Sequence, residues 1–171
     1  MTYHMVFDVE SIGLHGEAFA VGYIVIDDLG NCIEEDMFAC DPAQAVGANF
    51  DYIWVKSNVL LPITQLSPAY VRDRFWRQWL KWKDQGALLW ADCAWPVEAR
   101  FLMACVDADR HPRNWAGPYP LHEIATLMLA HGLNPLEALP RLPNELPIHN
   151  PLCDARQSAR ILFGLLKGRR P

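Results

Sequence analysis

The chain has 171 residues, 51% of them apolar and 20% charged, enough to bury a substantial core and unlike a disordered composition. A net charge of −5 excludes a protein that coats long nucleic acid by charge alone, but allows an enzyme acting on one strand end with bound cations offsetting its acids. No run approaches the ~18–20 apolar residues of a membrane span. The N-terminus has no basic stretch leading into an apolar run, and the five cysteines form no CxxC pair. The expectation is therefore one cytoplasmic domain, residues 1–171, away from membranes, with reduced thiols and no disulfide or zinc framework.

Residues 3–9 (YHMVFDV) read as a first strand, and residues 18–27 (AFAVGYIVID) have the β-branched and aromatic content of a central one. The turn Asp28-Leu29-Gly30-Asn31 leads into a third strand over 32–40, hairpin-paired with the second. Residues 41–66, rich in Pro, Ala and Asn, are expected to wander over the surface with short helical turns. Ser67 as cap and Pro68 at the first position open a helix to about Asp84, closed by Gly86. Residues 87–91 (ALLWA) suit a buried parallel strand, and Pro96 begins a helix to about Val106. A last strand at 119–121 precedes a helix over 122–131 that Gly132 ends. Asn150 and Pro151 start the final helix, which runs to Leu166.

Three strands in meander followed by strands separated by helices describe a mixed α/β fold: a five-stranded sheet, its first three strands antiparallel, with helices on both faces. That is the ribonuclease-H-like arrangement.

Asp8 and Glu10 stand two apart on the first strand, so they share one face of the sheet. Two carboxylates there are unfavourable unless a cation lies between them, and a divalent metal is the usual one. Asp154 adds a third acid in the first turn of the last helix, with His149 five residues before it, where a side chain can take a proton from an attacking water. In the middle of the chain two acids compete. Asp92 lies at the end of a strand beside Asp8, whereas Glu98 begins a helix three residues before Phe101.

The strand Asp8-x-Glu10-Ser11 and the segment His149-x4-Asp154-Ala155, followed by Ala159-Arg160-Ile161-Leu162, resemble the DEDDh 3′–5′ exonucleases. The compact length is most similar to their small stand-alone exoribonucleases. The resemblance implies two Mg²⁺ or Mn²⁺ ions held by Asp8, Glu10, Asp154 and either Asp92 or Glu98, with His149 as general base. It also implies a single-stranded 3′ end as substrate, RNA favoured over DNA, nucleoside 5′-monophosphates as products, and the dimerisation common among small members. Ser11 stands where the family most often has Thr and keeps the hydroxyl. Ser11, Leu14 and His15 would meet the terminal nucleotide. The irregular middle motif keeps a second reading open: a lapsed ribonuclease-H-like domain that binds nucleic acid or a partner protein. An endonuclease of the same fold is a weaker third.

Two further features have bland readings. Trp76, Trp79 and Trp82, spaced by three among Arg72, Arg74, Arg77, Lys81 and Lys83, read as core packing before base stacking, with the cations as phosphate contacts. The ending Lys167-Gly168-Arg169-Arg170 reads as a solvated tail.

Overall fold

Alternation along one central strand sorts the whole molecule. In the computed structural model, which describes residues 2–169, β1 spans His4–Ser11 and sits in the middle of a five-stranded sheet. The other strands are β2 (Ala18–Ile26), β3 (Cys32–Ala39), β4 (Leu88–Ala91) and β5 (Leu121–Glu123), in the spatial order β3-β2-β1-β4-β5. β1 pairs antiparallel with β2 and parallel with β4; β2–β3 is antiparallel and β4–β5 parallel. This is the expected mixed sheet with its opening meander. Arg170 of the basic tail lies outside the described residues.

Met5, Phe7 and Val9 point to one face, where they pack with Phe75, Trp76, Trp79 and Trp82 of α2 (Pro68–Lys83) and Phe101 and Leu102 of α3 (Val97–Asp107). Val6 points to the other, against Ile124 and Met128 of α5 (Ile124–Ala130) and Ala155, Ala159 and Leu162 of α6 (Pro151–Leu166). Asp8 and Glu10 continue the Val6 row, so they emerge under the start of α6. The tryptophans of α2 are each 3% exposed, which makes them core. The cations of α2 are largely engaged: Arg72 pairs with Glu17 at 2.7 Å, Lys81 with Glu34, and Arg74 lies over the Phe38 ring.

Some element bounds differ from the sequence expectation. Residues 41–66 contain a full helix, α1 (Asn49–Asn58), with Phe50, Ile53 and Trp54 exposed. A short helix, α4 (Arg110–Arg113), was not foreseen, and the last strand begins at Leu121, two residues later than its expected start. Ser67 makes no side-chain cap; only its carbonyl receives the Val71 N–H. Asn150 does cap, accepting from the N–H groups of Leu152 and Cys153 at 3.1 and 3.2 Å. No described helix is long and apolar enough to cross a membrane, and the five cysteines are unpaired.

Candidate active site

The last helix reaches the first strand because a glycine stands between them. Gly22 of β2 lies opposite Asp8 in the ladder, and a methyl group there would sit 2.2 Å from the Leu152 backbone nitrogen. The bare backbone lets the first turn of α6 descend onto the sheet beside Asp8. As a result, carboxylate oxygens of Asp8, Glu10 and Asp154 lie within 4.8 Å of one another, the one such acid or metal-ligand group among the described residues.

Charge is costly in this cluster. Burial, then repulsion from Glu98, Asp154, Glu10 and Asp92 in that order, holds the Asp8 carboxyl well above its ordinary range. Burial followed by Asp154 and Glu98 pushes Glu10 up to about 8. Burial also raises Asp154, against the opposing pull of Arg141, of His149 and of the His149 N–H. An all-oxygen set of crowded, partly buried carboxylates fits a hard divalent cation such as Mg²⁺ or Mn²⁺.

His149 sits just before the α6 cap in a left-handed backbone, φ 60°, which side chains seldom adopt. Its Nδ1 is 3.9 Å from Glu10 Oε1, and its ring meets Trp54 of α1 edge-on, centroids 5.1 Å apart. The base candidate is thus held between an acid of the cluster and an aromatic wall.

The two middle acids take different places. Glu98 is buried, 8% exposed, and its carboxyl lies close enough to the backbone of Val9, between Asp8 and Glu10 on β1, for that N–H and its own to draw it down against burial. The physical reason lies in the sheet. Register with β4 ends at Val6–Trp90, so β1 runs on past its parallel neighbour and the start of α3, with Glu98, lies beside it there. Burial pushes Glu98 up to about 7. Asp92 instead follows β4 at the mouth of the cleft with its outer surface exposed, its carboxyl raised by lost hydration and then by Glu123 and Asp154. It repels Asp8 least of the four neighbours named above, and Glu98 most.

Ser11 donates to the Gly13 carbonyl at 2.6 Å and shapes the turn after β1. Leu14, 62% exposed, joins Phe50, Trp54, Glu10 and His149 around a recess of about 300 Å³. His15 does not line it but lines a neighbouring cleft with Arg72 and Arg100, which shares Ser11 and Val97 with the recess. Sequence reasoning missed Phe50 and Trp54, whose helix has no buried stripe to announce it. It also missed Arg141, which ion-pairs with Asp154 from a loop with no motif.

No known family's sequence pattern matches the chain, and no curated protein matches it in sequence. Solved structures do. Exonuclease I from Methylocaldum szegediense superposes over 100% of this chain and 41% of its own, with a TM-score of 0.69 at 18% identity. The fold is ribonuclease-H-like. A second exonuclease I structure gives a TM-score of 0.68 at 15% identity over 100% of this chain and 42% of that one. The zinc-bound complex of E. coli exonuclease I with single-stranded DNA gives 0.66 at 14%, over 100% and 41%. The chain therefore spans about two fifths of the length of each of these structures.

Proposed function

We propose that this chain is a single DEDDh-type domain acting as a metal-dependent 3′–5′ exonuclease on single-stranded nucleic acid, RNA in preference to DNA. The observation that carries the reading is the convergence of Asp8, Glu10 and Asp154 from opposite ends of the chain, with His149 3.9 Å from Glu10. The exonuclease I fold supports it, and the single-stranded DNA held by one such neighbour makes DNA the competing substrate.

Asp8, Glu10 and Asp154 would hold the divalent cations, with Glu98 as the fourth carboxylate. Bound divalent cations supply positive charge to the phosphodiester and favour ionisation of the attacking water. His149 takes the proton from that water as its oxygen bonds to phosphorus. The bond from phosphorus to the 3′ oxygen of the preceding nucleotide breaks, that oxygen takes a proton from solvent to become the new 3′ hydroxyl, and a nucleoside 5′-monophosphate is released. The terminal base would enter the recess beside Leu14, Phe50 and Trp54, where a π face supplies sequence-tolerant stacking.

The test uses 5′-labelled RNA and DNA single strands of one sequence, with Mg²⁺ or Mn²⁺. The reading expects a ladder shortening from the 3′ end, faster on RNA and absent with the Asp8→Ala variant. A 3′-blocked or circular strand stays intact. Cleavage of circles would assign an endonuclease, and equal activity of the variant would remove the site from the reaction.

A further inference from the structure

Asp154 already has a cation beside it. Arg141 forms an ion pair with one Asp154 oxygen, and its same Nη1 donates to the Glu145 carbonyl at 2.9 Å. The two side chains are 23% and 15% exposed, so the pair is largely shielded from water. The pair is not needed to hold the loop. Leu139 and Pro140 carbonyls bind Gln157 and Arg160 of α6 at 3.1 and 2.9 Å, and the Asn144 carbonyl binds Arg156 at 3.1 Å. Glu145, 1% exposed, closes its own turn on the Leu142 N–H and pairs with Arg160 at 2.6 Å. Four contacts from Arg156, Gln157 and Arg160 of α6 therefore tie down the loop around Arg141 besides the guanidinium's own bonds to Asp154 and the Glu145 carbonyl.

The geometry points to Arg141 as the resident counter-ion of the cluster, competing with the divalent cation for Asp154 and so setting how tightly the site takes metal. This rests on the nuclease reading above. A guanidinium keeps its charge at every working pH, so two positive charges meet at one carboxylate whenever the site is loaded. The influence of Arg141 falls on Asp154, which it touches, and on Asp92. It is thus a positioning residue that weakens cation uptake through Asp154. It also offsets part of the charge that Asp154 brings to the Asp8 and Glu10 pair.

Calorimetric titration with Mn²⁺ alone, without nucleic acid, tests this on the full chain. Arg141→Gln should bind Mn²⁺ about tenfold or more tightly than wild type, equivalent to ~1.4 kcal/mol. Arg141→Lys, which keeps the charge, should stay within about threefold of wild type. Millimolar guanidinium added to Arg141→Ala should return its affinity towards wild type. A purely structural role for Arg141 leaves affinity equal or weaker in Arg141→Gln, and that result overturns the inference. If Arg141→Gln does not fold, a Lys variant that binds tenfold more tightly than wild type overturns it as well. Should wild type bind no Mn²⁺, both the inference and the nuclease reading fail. Should wild type bind and Arg141→Gln match it, the inference alone fails.

Discussion

Replacing Gly22 by alanine should disable the site without touching any acid. The added methyl would stand 2.2 Å from the Leu152 nitrogen, 2.4 Å from the Pro151 carbonyl carbon and 2.6 Å from the Leu152 Cα. Every one of these is backbone, so no flexible side chain can yield. Restoring an ordinary contact of about 3.4 Å needs the start of α6 to retreat by roughly 1.2 Å. That helix buries Ala155, Ala159, Leu162 and Leu165, so the movement opens a packed face and should cost about 1–3 kcal/mol. Asp154 and His149 move with it. A displacement near 1 Å at a reacting centre costs about 10²-fold in rate. Urea denaturation, Mn²⁺ titration and exonuclease rate on one preparation measure all three effects. A Gly22→Ala protein with wild-type stability and wild-type rate would refute the idea that this close approach builds the site.

Metal-free protein should lose stability as pH rises. Glu10, at about 8, and Glu98, at about 7, both bind protons more tightly folded than unfolded, so their contribution is full below about pH 4.5 and gone once pH passes 8. The total is several kcal/mol, at ~1.4 kcal/mol per tenfold change in proton affinity. Melting in chelator between pH 5.5 and 8.5 should show the fall and Mn²⁺ should reverse it; a flat profile contradicts the crowding of acids. Glu98→Gln should cost more activity than Asp92→Asn, since Glu98 bears more strongly on Asp8, and steady-state rates on a short single strand compare them. Trp54→Ala should weaken substrate binding by about 1–3 kcal/mol, read as a raised KM, if the recess stacks a base.

The signals at the two ends were local ones. Two acids two apart on a strand must share a face, and Asn150-Pro151 marks a helix start through backbone chemistry alone, so β1 and α6 were legible with their acids. The helix α1 was not, because Phe50, Ile53 and Trp54 face solvent and leave no buried stripe to read. The contest between Asp92 and Glu98 depends on where β4 stops pairing with β1 and α3 takes its place beside that strand, a fact of register that neither residue carries in its own neighbourhood. Leu14 and His15, adjacent in sequence, part at the turn after β1 and line different clefts. Arg141 reaches Asp154 only because four contacts with α6 place its loop, which no spacing rule encodes.

The central claim is that the acids gathered from both ends of the chain hydrolyse the terminal phosphodiester of a single strand. Its most direct measurement is the product released from a 3′-end-labelled strand by wild type and by Asp8→Asn, side by side in Mn²⁺. The account predicts a labelled nucleoside 5′-monophosphate as the first product with wild type and none with the variant. Labelled internal fragments, a 3′-phosphate product, or equal release by both proteins would contradict it.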